Sequence, residues 1–187
     1  LDSYIGVQNA WKQLDLLNTD EYIKYATALK ANAGSALPSR FSALDEPVYQ
    51  GASQTYRQTN TDWQDEMFRS AMITQHNISI NSTTDKVRLY ASGGYMQQDG
   101  ILIGTSYKRY NFRINTEYNI SKRFAVGQMF TFAAEDRLND QNGGGRTQLK
   151  HIIHNIPYIP VKDPTLLGGY RGPNNADGTD PQNPVRI

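Results

Sequence analysis

From Met72 to about Asp136, apolar and polar residues alternate with a period of two, the pattern of strands whose faces meet different surroundings. Ile78 and Ile80 alternate with Asn77, Ser79 and Asn81. After Thr83-Thr84-Asp85, Val87, Leu89, Ala91 and Tyr95 alternate with Arg88, Tyr90, Ser92 and Gln98, which predicts a hairpin. The cleanest stretch sets Tyr110, Phe112, Ile114, Thr116, Tyr118 and Ile120 against Asn111, Arg113, Asn115, Glu117 and Asn119. A tight Ser121-Lys122 turn then leads to Phe124, Val126, Phe130, Phe132 and Ala134, facing away from Ala125, Gly127, Thr131 and Glu135, a second hairpin. At the start of the chain Ser3, Ile5 and Val7 alternate with Asp2, Tyr4 and Gly6 in a short strand. The pattern predicts strands at about 1–8, 73–82, 86–98, 108–120 and 123–135.

Between the first two strands the period changes. Asn18 followed by Glu21 has the form of a capping box, and Tyr22, Ile23, Ala26 and Leu29 recur at helical spacing until Gly34, predicting one short helix over 19–31. Residues 35–60 hold Pro38, Pro47 and Gly51 among scattered polar residues without a sustained period, so they read as an irregular connection within a loop spanning 9–72. The segment 136–187, rich in Gly, Pro and Asn, reads as a second long loop.

Strands of about ten residues or more exceed the five or six usual in globular sheets and match the ~9–11 that a tilted strand needs to cross a bilayer. The aromatic residues Tyr110 and Tyr118 bracket the apolar face where a girdle at lipid headgroups would lie. A soluble barrel or sandwich would alternate too, with its apolar face as core, so alternation leaves both open. Connection lengths add to the membrane reading. Residues 83–86 and 121–123 are short, whereas every second connection is long, as in outer-membrane barrels with short periplasmic turns and long outer loops. Odd-numbered strands would run outward. The fold class expected is all-β, the N-terminal portion of a transmembrane antiparallel β-barrel of about five strands with long extracellular loops.

Composition narrows the function more than the fold. The 187 residues carry 19 basic and 18 acidic side chains, a net charge of +1 with no long run of either sign, which argues against nucleic acid as a partner. There is no cysteine, hence neither disulfide nor thiolate metal site. No run approaches the ~18 apolar residues of a spanning helix, so any bilayer would be met by strands. The first residue is Leu1, not Met, and no charged and then apolar leader follows it, so the sequence reads as an internal segment.

Candidate chemistry is sparse, and no cofactor is expected. His151 and His154 could share one helical face as metal ligands, but no carboxylate or third histidine accompanies them in the sequence, and packing explains them better. Asp177-Gly178-Thr179-Asp180 hints at calcium, yet Pro173 and Pro184 occupy the first and last places of the required loop, and a turn fits better. Gly143-Gly144-Gly145 lacks the Lys-Ser or Lys-Thr of a phosphate loop, there is no Gly-x-Ser-x-Gly, and no carboxylate pair stands out, so the chain reads as no enzyme. Trp63, Tyr158 and Tyr170 are the candidate ligand-binding aromatics, able to stack on sugar rings, against a packing role for the same rings. Arg88, Arg113 and Glu117 fall on the polar face, where hydrogen bonding in a wet interior is the simpler role.

The stretch from Asn60 to Arg69, with Asp62-Trp63-Gln64-Asp65-Glu66-Met67-Phe68 at its centre, resembles the Asp-Trp-Gln-Asp-Glu-Ile-Phe segment near the start of the barrel in TonB-dependent transporters of the SusC/RagA type. Tyr4-Ile5-Gly6-Val7-Gln8, Leu16-Leu17-Asn18 with Glu21-Tyr22, Tyr90 to Tyr95 with Gln98-Asp99-Gly100-Ile101, and Arg109 to Arg113 follow in the order of that family. Asn81-Ser82-Thr83 departs from it, where a Ser-Gly-Gly-like stretch is frequent. The resemblance covers residues 1 to about 140. It implies a barrel of about 22 strands with an internal plug, energised through TonB and paired with a SusD-like lipoprotein. It further implies import of glycans or peptides across the outer membrane of a Gram-negative, Bacteroidetes-like bacterium. Residues 1–187 would then be a partial barrel domain without the plug and the TonB-binding segment. Two other readings of the strand pattern are a soluble β-rich carbohydrate-binding or adhesion module and a passive porin.

Overall fold

The structure, a computed structural model, describes residues 1–139, 147–172, 174–178 and 182–185. The chain divides into two compact units, one of residues 1–10 and 69–139 and the other of residues 11–68 and 140–187.

The first unit is the alternating part of the sequence. Strands β1 (Asp2–Gln8), β2 (Ala71–Thr83), β3 (Val87–Asp99), β4 (Ser106–Ser121) and β5 (Phe124–Leu138) form one sheet in sequence order, every neighbouring pair antiparallel. The sheet is open, since β1 pairs with β2 alone and β5 with β4 alone. These five strands therefore do not close a barrel by themselves.

The turns explain the tight pairing. Thr84 closes the β2–β3 hairpin twice over: its amide donates to the Val87 carbonyl at 2.8 Å and its hydroxyl oxygen accepts the Val87 amide at 3.0 Å. The β4–β5 register shifts between Asn119 and Ser121, a local irregularity beside the two-residue turn. Gly94 marks a close approach across strands, because a Cβ there would fall 2.5 Å from the side-chain Oδ1 of Asn111 and 2.6 Å from that of Asn77.

The second unit is built from the two segments that the sequence pattern reads as loops. Helix α1 (Thr19–Asn32) begins with the capping box foreseen at Asn18: its side chain accepts the Glu21 amide at 3.0 Å, and the Glu21 carboxylate accepts the Asn18 amide at 3.0 Å. Asp62 caps a short helix α2 (Trp63–Met67) by accepting the Gln64 and Asp65 amides. Thr147 caps α3 (Gln148–His154) in the same way through the Lys150 amide. Both helices are too short to show a period, and the sequence pattern passes over them.

Residues 35–60 form no regular element beyond a 3₁₀ turn at Ser39–Ser42 and a small bridge between Pro47 and Thr55, yet they are packed, with Arg40, Leu44, Val48 and Tyr56 in the core of this unit. The backbone is paired to match: Val48 and Arg57 amides donate to Gln54 and Leu44 carbonyls, and the Tyr56 hydroxyl donates to the Val48 carbonyl at 3.0 Å. Single apolar anchors separated by turns carry no period, which is why the sequence pattern misses them. From the other segment come Ile152, Ile156 and Tyr158, all fully buried. The segments are stitched together by backbone and side chain. The Thr61 amide donates to the Pro157 carbonyl at 2.7 Å, and its hydroxyl to the Ile159 carbonyl at 2.7 Å.

Candidate functional site: a two-faced sheet and a folded loop unit

The register places the alternating residues of all five strands on two continuous faces. Ile5 and Val7 of β1, Ile78 and Ile80 of β2, Leu89 and Ala91 of β3, Phe112 and Ile114 of β4, and Phe130 and Phe132 of β5 share one of them. Phe112 stands directly opposite Phe132 and Ile114 opposite Phe130, and the Phe112 and Phe130 rings lie 6.5 Å apart. Tyr95 and Tyr110, also paired, lie at 5.0 Å toward the end of the face where β3 leads into β4. This face is apolar and open to solvent: Ile80 is 60% exposed, and Phe130 and Phe132 are each 53% exposed. Among the described residues, no helix is long and apolar enough to cross a membrane, which says nothing about strands.

The opposite face is polar and charged. Arg88 donates to the Glu117 carboxylate at 3.0 Å directly across β3 and β4. The Tyr107 hydroxyl donates to Glu135 at 2.8 Å, and the Arg137 guanidinium lies 5.3 Å from the centre of the Tyr107 ring. Arg113 shares this face opposite Ser92 and Thr131.

In the second unit the aromatic candidates separate. Trp63 is buried, with its indole Nε1–H donating to the Ile156 carbonyl at 3.1 Å. Tyr158 is fully buried, ringed edge-on by Tyr22, Phe41 and Tyr56 at 5.9, 6.4 and 6.2 Å. Only Tyr170 of the three is half-buried, beside the bridge it makes with Lys162. His151 is buried and His154 exposed on α3.

Asp177, which the sequence placed in a turn, is the charged centre of this unit. It is 1% exposed and accepts from Arg40 Nε at 2.8 Å and from Arg171 Nη2 at 3.3 Å. The Arg40 guanidinium also lies 4.0 Å over the Tyr56 ring. Burial works to lower the Arg40 pKa, but the hydrogen bond and charge of Asp177 outweigh it and leave it above the ordinary value. Asp177 closes a 3₁₀ turn (Asn175–Asp177) whose end, Gly178, has φ +70°. Thr179, Asp180 and Pro173 lie outside the described residues, as do Gly143, Gly144 and Gly145. The sequence offered no signal for this cluster, since Arg40 and Asp177 are 137 positions apart.

Two expected results follow from this packing. Gly178→Ala should destabilise the unit by about 2 kcal/mol, because the left-handed conformation disfavours a Cβ. A Cβ there would also come within 2.6 Å of Pro38 Cγ. A drop in the urea midpoint without a change in slope checks this. Tyr158 is pushed above the ordinary tyrosine value by burial first, then by the charge of Asp177, and Tyr22 is raised for the same two reasons. With folded pKa values above the unfolded value of about 10, their contribution is fully present below that pH and is lost as pH rises through the folded values. Two of the 12 tyrosines should therefore resist ionisation until the unit unfolds cooperatively, read as tyrosinate absorbance against circular dichroism.

No family model matches the chain. Three curated proteins do. TonB-dependent receptor P3 of Formosa agariphila is 29% identical over 127 residues, covering 68% of this chain and 11% of its own length. TonB-dependent receptor SusC of Bacteroides thetaiotaomicron is 29% identical over 133 residues, 66% of this chain and 12% of its own. TonB-dependent receptor P26 of Formosa agariphila is 25% identical over 182 residues, 97% of this chain and 16% of its own. The chain is similar to SusC-like TonB-dependent receptors. Its fold agrees: the structure of the RagAB peptide transporter matches with a TM-score of 0.56 at 20% identity, over 73% of this chain and 17% of that one. The chain spans between 11% and 16% of the length of these curated TonB-dependent receptors. The curated relatives are receptors by name, and the solved structure is that of a transporter.

Proposed function

We propose that the chain forms the opening strands of an outer-membrane β-barrel in a Gram-negative, Bacteroidetes-like bacterium. The whole protein is an active importer of glycans or peptides, energised through TonB by way of other segments and working with a SusD-like surface lipoprotein. The observation that carries this reading is the sheet's exposed apolar face, continuous over five strands and backed by a polar, charged one. Soluble monomers rarely leave apolar patches larger than a few hundred Å² in water, whereas a barrel wall turns such a face to lipid. Strands β2 to β5 have 13 to 16 residues, enough to cross. From Tyr110 to Ile120 a strand tilted about 40° rises about 25 Å, the height of the apolar band of such barrels.

A soluble carbohydrate-binding or adhesion module would need that face covered as a core, and its exposure weighs against this alternative. The second unit is then an outer, folded loop unit. Of the three aromatic candidates, Tyr170 keeps ring surface to offer a ligand, while Trp63 and Tyr158 belong to the packed interior. The test is uptake of labelled oligosaccharides and oligopeptides by cells carrying the full-length gene or its deletion. High-affinity uptake of one class should require the gene and stop when the proton gradient is collapsed. Uptake that survives the collapse would favour a passive porin.

A further inference from the structure

Three features stand outside the reading above: the pocket along Leu14–Asn18 and α1, the buried Asp177 cluster, and an uncompensated arginine on the polar face of the sheet. The last carries furthest. Arg113 makes no hydrogen bond or ion pair among the described residues. Its cross-strand neighbours Ser92 and Thr131 and its same-face neighbours Asn111 and Asn115 carry no charge. The diagonal positions Tyr90, Gly94, Met129 and Ala133 carry none either. The carboxylates farther along the face are engaged, Glu117 by Arg88 at 3.0 Å and Glu135 by the Tyr107 hydroxyl at 2.8 Å. Around Arg113 these small side chains leave a hollow of about 430 Å³ that Ser92, Asn111 and Thr131 line, with Arg109 and Glu135 toward one end.

A guanidinium without an ion partner, in a polar hollow whose one carboxylate, Glu135, is already engaged by the Tyr107 hydroxyl, offers a fork of donors matched to a further carboxylate or sulfate. Charged side chains lining a water-filled path select solutes by sign. We propose that Arg113 is a binding position for one anionic group, carboxylate or sulfate, presented by a solute inside the barrel. This rests on the polar face being the interior one. The same chemistry could come from a carboxylate of another segment of the polypeptide, and the experiment separates the two sources.

These 187 residues hold no cysteine, so Ser92→Cys, in a full-length protein with any cysteine elsewhere replaced by serine, places a single thiol opposite Arg113. The full-length protein in detergent is treated with two thiol reagents of like size, one anionic and one cationic. A unit charge about 6 Å away in water changes each rate about threefold in opposite senses, so the anionic reagent should react about tenfold faster. Arg113→Gln should abolish that preference and Arg113→Lys should keep it. Oligogalacturonate should slow the modification, its neutral methyl ester should not, and Arg113→Gln should remove the protection. Equal rates with Arg113 present would show the charge already neutralised by a polypeptide carboxylate and would overturn the proposal, as would the absence of protection by the acidic probe. Thr131→Cys, on the other flank, repeats the test if Ser92→Cys folds poorly. Ile114→Cys tests the underlying reading separately: if it reacts with the water-soluble reagents as fast as Ser92→Cys, the assignment of faces fails, whatever the charge preference.

Discussion

Ile114→Arg in the full-length protein is expected to block folding into lipid vesicles, whereas Asn115→Arg, one residue along the same strand, should fold. Ile114 stands on the apolar face between Ala91 and Phe130, while Asn115 stands on the polar face between Tyr90 and Met129. An arginine near the bilayer midplane on the lipid side of a barrel costs roughly 2–4 kcal/mol. The polar face already carries Arg88, Arg109 and Arg113 in the same sheet, so one more arginine there meets water and polar neighbours. The side-chain period of two makes the contrast sharp, because adjacent residues cannot exchange faces without shifting the whole register. Heat-modifiable migration of the two variants after refolding reads the outcome directly. Equal folding of the two would contradict the assignment.

Asp177→Ala should unfold the loop unit while leaving the sheet paired. The substitution strands Arg40 and Arg171, whose side chains are 10% and 8% exposed, without a counter-charge. Breaking a buried pair by removing one partner costs about 3–5 kcal/mol, a large part of the ~5–15 kcal/mol that holds a typical domain. The control is Asp45→Ala, which removes the partner of Arg57 in a pair open to solvent on both sides. That change should leave no measurable loss, since exposed pairs contribute little. Amide hydrogen exchange separates the cases: protection at Tyr56 and Thr61, whose amides donate to the Glu46 and Pro157 carbonyls, should collapse in Asp177→Ala and persist in Asp45→Ala, with β3 and β4 unaffected in both. Retained protection at Tyr56 in Asp177→Ala would mean that the ion cluster is not what binds the two segments.

The sheet was legible because its physics is local. A strand with unlike surroundings on its two faces writes a period of two into ten or more consecutive residues, and Tyr110 to Ile120 does so almost without exception. Helix α1 was legible for a similar reason, as Asn18 and Glu21 cap each other within one turn. The loop unit was not. Its core gathers Arg40, Leu44, Val48 and Tyr56 from one segment and Ile152, Ile156, Tyr158 and Asp177 from another, each set held by turns rather than by a repeating element. Nothing in the spacing of those residues says that they meet. The same blindness affected the aromatic candidates, because a sequence shows that Trp63 and Tyr158 are aromatic but not that the interior claims their rings. Arg113 stands out in the sequence for its place on the polar face, yet its lack of an ion partner is visible only once the register shows which side chains surround it.

The account turns on which face of β4 meets lipid, and spin labels placed singly from Arg109 to Asn119 in the full-length protein in bilayers measure this most directly. Labels at positions 110, 112, 114, 116 and 118 should collide preferentially with lipid-soluble oxygen, and those at 109, 111, 113, 115, 117 and 119 with a water-soluble nickel chelate, alternating at every step. Even-numbered positions shielded from both reagents, as in a covered core, or reached as freely by the chelate as the odd ones, would contradict a sheet that stands in the membrane with its apolar face outward.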